Sequence, residues 1–195
     1  MKTQNTKKTS QNSIKQKDEI LKMVLAAMFL ALAYVLPFLT GQIPDIGNML
    51  LPMHLPVLLC GFICGGFWGL AVGLVAPLLR SFTLGMPTLF PKAICMAIEL
   101  AAYGAIAGFM YKKLPKKNSY MNTINIYISL ITAMVAGRII WGFAMFACLG
   151  FDLSQFGLSL FWAEAVTKAI PGIIVQIVLI PLIVMFINKK ERRDT

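Results

Sequence analysis

The chain has 195 residues, of which 58% are hydrophobic and only 13% are charged, and its mean hydropathy is +0.75. That balance lies far outside soluble domains of this size, and apolar runs that are continuous rather than alternating argue against a β-barrel, which leaves an all-α integral membrane protein. The formal charge of +10 does not point to nucleic acid, because fourteen of the 18 Lys and Arg residues fall in three clusters that each abut an apolar run, the pattern of cytoplasmic loops.

In chain order, residues 1–19 are polar and Lys-rich and read as a disordered basic cytoplasmic tail. The apolar run Ile20–Thr40 is too long for a signal-peptide core and lacks a cleavage site, so it reads as a retained first helix. After an outer loop with Asp45 comes Leu50–Leu79, whose 30 residues suit one very tilted helix or two short ones. Charge parity decides between them. If the tail and the cluster Lys112, Lys113, Lys116 and Lys117 are both cytoplasmic, this stretch crosses twice, as a short hairpin turning near Gly65-Gly66. Gly61, Gly65, Gly69 and Gly73 recur every four residues and suit close backbone approach.

The segment RSFTLGMPTLFPK, residues 80–92, then forms an outer loop with Arg80 and Lys92 at its ends, compact because of Gly85, Pro87 and Pro91. Helices are predicted over Ala93–Tyr111, about Ile124–Leu149 and about Phe161–Ile187, with Asp152 in the outer loop between the last two. Lys189, Lys190, Arg192 and Arg193 return the chain to the cytoplasm in a charged tail, 189–195. The expected architecture is a membrane domain over 20–188 with six transmembrane helices and both termini cytoplasmic.

Ionisable side chains within a membrane cost several kcal/mol unless paired or hydrated, so each is a candidate for function. They are His54, Arg80, Lys92, Glu99, Arg138, Glu164 and Lys168, and all fall in the outer half or near the middle. A proton or ion relay would need such groups along the whole path, so the one-sided distribution suggests a cavity open to the outside. Glu99 shares a helical face with Tyr103, Arg138 shares one with Trp141, and Glu164 and Lys168 are one turn apart. Two readings fit. In one, Glu99–Arg138 and Glu164–Lys168 are structural ion pairs. In the other they line a binding pocket, with Arg138 or Arg80 against a carboxylate or phosphate and Glu99 or Glu164 against a donor. His54 has no His or Cys partner at ligand spacing, and Cys60, Cys64, Cys95 and Cys148 read as small packing residues, so no metal and no cofactor is expected. No GxSxG, Walker A or HExxH motif occurs, so no enzyme is expected, and concentrative uptake would need a partner to supply energy.

Three segments carry a family resemblance: LAAMFLALAYVLPF in the first helix; the run MHLPVLLCGFICGGFWGLAVGLVAPLLRSFTLGMPTLFP with the following MAIELAAYGAIAGFMYKKL; and AGRIIWG with the later AIPGIIVQIVLIPLIV. With them the chain resembles the substrate-binding S components of energy-coupling factor (ECF) vitamin transporters. The resemblance implies a multi-pass protein of a prokaryotic plasma membrane that binds a vitamin or related micronutrient, such as a pyridoxine-type vitamer, pantothenate or a pyrimidine precursor, in an outward pocket. It implies release inside by toppling in the bilayer, driven by a membrane T subunit and two ATPase subunits. The family's AxxxA motif for T-subunit contact falls on Ala27 and Ala31, whose small side chains at i and i+4 also permit ordinary helix packing. A self-sufficient secondary transporter or channel is the nearest rival, and it predicts a polar path reaching the cytoplasm.

Overall fold

The computed structural model describes residues 2–40, 51–115, 119–150 and 169–191. Among them there are six helices of more than one turn and no strand: α1 (Lys2–Thr40), α2 (His54–Cys64), α3 (Gly66–Leu84), α4 (Ile94–Lys113), α5 (Ser119–Cys148) and α6 (Ile170–Glu191).

Helix α1 begins at Lys2, where a disordered tail was expected. Once the apolar run has nucleated a helix, adding residues such as Lys15, Gln16, Lys17 and Glu19 costs little, because straight-chain side chains lose few rotamers in a helix. Residues 11–20 are nevertheless exposed throughout. Along the apolar part, Ala26 and Ala33 face the core, whereas Val24, Met28, Leu32, Val35 and Phe38 are exposed, as on a helix bathed by lipid or covered by another protein.

The hairpin expected near Gly65-Gly66 is present but unequal. Gly65 sits at φ +99°, a conformation that favours glycine, and its N–H bonds to Gly61 O at 3.1 Å. Helix α3 has 19 residues, whereas α2 has 11, about 16 Å of helix, or roughly half a hydrocarbon core. Five of the six helices are therefore long and apolar enough to cross a membrane, and α2 is the exception. Nine of its eleven residues are buried. A helix enclosed by protein need not match the bilayer thickness, and α2 packs on α1, α3, α4 and α6.

Phe62 near the end of α2 packs edge-on against Tyr111 in the last turn of α4, and His54 at its start packs against Tyr103. Helix α2 thus runs alongside α4 between the levels of Tyr103 and Tyr111, so His54 begins it well inside the length of α4 rather than level with its start. Helix α3 continues past Leu79 to Leu84, placing Arg80 inside a helix, and closes at Gly85 (φ +68°), whose N–H bonds to Ser81 O at 2.9 Å. A wide irregular turn over Leu89–Ala93, with Phe90 extended, leads into α4.

The closest helix contact is between α3 and α4. A methyl group on Gly69 would lie 2.7 Å from Gly104 O, and one on Gly104 would strike the Gly69 backbone. These two glycines let the backbones touch, and that contact holds α4 against the hairpin. Leu58, Leu100, Tyr103, Ile126, Leu130 and Ile180 form the fully buried centre. Gly104→Val should therefore force α3 and α4 apart and cost at least about 1–3 kcal/mol. Thermal unfolding of the purified protein in detergent should show a clear drop, with little change for Leu74→Val on the exposed face of α3.

Candidate functional site

Three helices bring ionisable side chains together inside the bundle. Glu99, five residues into α4, has Oε1 3.0 Å from Arg138 Nη1 on α5 and 3.6 Å from His54 Nε2 at the start of α2. His54 and Glu99 are almost completely buried, and the Arg138 side chain is 15% exposed. The 3.0 Å approach is an ion pair that is not aligned as a hydrogen bond, so Glu99 Oε1 still lacks a hydrogen-bond partner. Both His54 nitrogens, Arg138 Nε and Arg138 Nη2 are buried and likewise without a hydrogen-bond partner among the described residues. Glu99 and Arg138 neutralise each other, yet the donors around them remain largely unused.

Tyr103, one turn beyond Glu99, is fully buried with its ring edge-on to His54 at 5.2 Å between centroids, and it lies against Gly137. Trp141, nearly one turn after Arg138, is partly buried on the same helix. The structure thus brings His54, Glu99, Tyr103 and Arg138 together from α2, α4 and α5, with Trp141 one turn farther along α5.

Arg80 is placed elsewhere. Its Nη1 donates to Tyr34 O at 3.3 Å and its guanidinium stacks over the Phe38 ring at 5.0 Å, so it ties α3 to the end of α1 instead of reaching the Glu99 cluster. Lys92 is exposed on the irregular turn ahead of α4. Glu164 and Lys168 lie outside the described residues, as does the segment carrying Asp152.

Charge-based reading of the sequence missed the neutral polar groups. Gln176 on α6 is 1% exposed, and its Nε2 has no hydrogen-bond partner among the described residues. At the opposite end of the bundle Tyr111 Oη donates to Asn122 Oδ1 at 2.9 Å and accepts from Asn188 Nδ2 at 2.8 Å, while Asn125 Nδ2 donates to Pro115 O at 3.0 Å. This network joins α4, α5 and α6 through phenol and amide groups, with no carboxylate, imidazole, amine or guanidinium in it. An amide inside an apolar helix, as in IIVQIVL, was the available signal for Gln176.

A second surface feature is an open apolar groove of about 370 Å³ between α1 and α3, lined by Ala27, Leu30, Ala31, Tyr34, Val35, Leu79 and Thr83. Ala27 and Ala31 are exposed, so they do not serve packing inside the monomer, which uses Ala26 and Ala33 instead.

The family model described as "ECF transporter, substrate-specific component" matches residues 21–184. No curated protein and no solved structure matches the chain.

If the Glu99–Arg138 pair is held as the distances indicate, Glu99→Ala leaves a buried guanidinium without a counter-charge and should cost about 3–5 kcal/mol. The double change Glu99→Met with Arg138→Leu should cost less than Glu99→Ala alone, because no isolated charge remains. Thermal unfolding of the three proteins in detergent measures both, and equal stability of Glu99→Ala and the native chain would show the pair is not formed.

Proposed function

The chain belongs to the substrate-specific components of ECF transporters, and from that premise we propose that its Glu99, Arg138 and His54 cluster is the floor of a capture pocket for a water-soluble vitamin or related micronutrient. The observation that carries this is the buried, incompletely satisfied charge cluster, which is costly in an apolar bundle unless a ligand engages it. Tyr103 and Trp141 supply aromatic surface beside it, suited to a solute with a ring such as a pyridoxine-type vitamer or a pyrimidine precursor; pantothenate, without a ring, would use the charged groups alone. Lys92, Glu164 and Lys168 belong to its outer rim in this reading, and Arg80 supports the rim from behind by fixing α3 to α1.

The pocket faces outward and both termini are cytoplasmic, with α2 and α3 counted as the second and third crossings. That orientation gives the even parity the Lys and Arg clusters require, in the plasma membrane of a prokaryote. Lacking an ATP-binding motif, the chain depends on a membrane T subunit and two ATPase subunits to topple it and release cargo inside. The groove at Ala27 and Ala31 is the docking place for the T subunit: it is apolar, exposed and lined by residues small enough for close helix approach.

A self-sufficient transporter is the second reading. It is disfavoured by the inner network of Tyr111, Asn122 and Asn188, which among the described residues offers neutral groups where a relay would need acids or His.

Two measurements test this reading. Uptake of the compound that co-purifies with the chain should appear only when T and ATPase subunits are co-expressed, and uptake by the chain alone in energised, ATP-free vesicles would contradict it. Ala27→Trp and Ala31→Trp should abolish uptake and leave equilibrium binding within about twofold, since Glu99, Arg138 and His54 do not line the groove; lost binding with intact expression would place this face at the pocket.

A further inference from the structure

Around the Glu99 cluster, hydrogen-bond donors outnumber acceptors. Arg138 Nε and Nη2 and Gln176 Nε2 only donate, and His54 offers at least one N–H; all are buried with no hydrogen-bond partner among the described residues, against one unpartnered carboxylate oxygen, Glu99 Oε1. The carboxylate facing them, Glu99, is already against Arg138 Nη1 at 3.0 Å. With Nη1 turned toward Glu99 in an ion pair, the side of the guanidinium left over is the Nε–Nη2 edge, whose two parallel N–H groups match a carboxylate or phosphate in bidentate fashion.

Two further features point the same way. Helix α2 starts at His54 with no side-chain cap; the His54 N–H bonds to Leu51 O at 3.0 Å and Pro56 has no N–H, so the terminus contributes mainly the positive end of the helix dipole beside His54. Gln176 precedes Asn188 by the same twelve residues that separate Glu99 from Tyr111, and Asn188 is bonded to Tyr111. An equal rise of about 18 Å on the two helices brings Gln176 to the depth of Glu99. Helix α6 packs against α2 and α5, which carry His54 and Arg138.

We propose that Arg138, His54 and Gln176, at the N-terminus of α2, form an oxyanion site, so that the captured solute bears a carboxylate or phosphate. Glu99 is a positioning residue that holds Arg138 by its Nη1 and keeps the Nε–Nη2 edge turned to the solute. This rests on the cluster being the capture pocket. It selects acids over neutral analogues because an uncharged group leaves the buried donors unmatched.

The test uses the full chain in lipid nanodiscs, immobilised and exposed to the small-molecule fraction of a yeast extract, with retained compounds identified by mass spectrometry. The native chain should retain an acid. Methyl esterification of the extract should remove that compound from the retained set if it is a carboxylate, and phosphatase treatment should do so if it is a phosphate. Gln176→Met keeps the side-chain shape and deletes the donor, so it should be at least as heat-stable as the native chain and retain the acid at least tenfold less. Gln176→Glu should retain still less. Glu99→Gln should lower retention at least threefold while keeping the preference for the free acid over its ester. Retention of a neutral or cationic compound, or unchanged retention by Gln176→Met, overturns the oxyanion site and leaves the capture reading standing. No retained compound at all with a well-folded native chain overturns both.

Discussion

The structure depends on one constraint: a carboxylate, a guanidinium and an imidazole are held away from water in a bundle built for hydrocarbon. Glu99 on α4 is within 3.0 Å of Arg138 and 3.6 Å of His54, so three separate helices must stay in register for the cluster to exist. Register comes from backbone contact. Gly69 and Gly104 let α3 and α4 touch, the turn at Gly65 returns α2 alongside them, and Gly137 lets α5 lie against the Tyr103 ring. A larger side chain at Gly69 or Gly104 would meet the opposing backbone and push α3 away from α4.

The short helix α2 gives the bundle two unlike ends. One end is filled by α2 and tied together by Tyr111, Asn122 and Asn188, a network of neutral groups satisfied by one another. Above His54 that helix is missing, and there the polar atoms are charged, buried and short of partners. Self-satisfied groups at one end and unsatisfied groups at the other are what a protein needs if it is to take a solute from one side and keep the opposite side sealed.

Much of this was legible in the sequence, for a physical reason. Charges are so costly in an apolar helix that Glu99, Arg138 and His54 stand out on inspection, and the 3.6-residue period groups Tyr103 and Trp141 with them. The hairpin at Gly65 followed from charge parity alone. Arg80 illustrates the limit: a guanidinium near a membrane surface satisfies itself equally well on an aromatic ring and a carbonyl, and only the fold shows Phe38 and Tyr34 within reach. The inequality of α2 and α3 was hidden because a buried helix carries no length requirement. Gln176 and Asn122 were overlooked because a neutral amide does not register in a search for charge, although burial makes it nearly as demanding of a partner.

The most direct measurement is an experimental structure of the chain purified from cells grown in rich medium, with its co-purifying small molecule bound. The solute should lie between α4, α5 and α6 above the start of α2, with an oxygen within hydrogen-bond reach of Arg138 Nε or Nη2. Solute density in the Ala27–Ala31 groove, over a Glu99–Arg138–His54 cluster that makes no contact with it, would contradict the assignment of the buried cluster as the capture site.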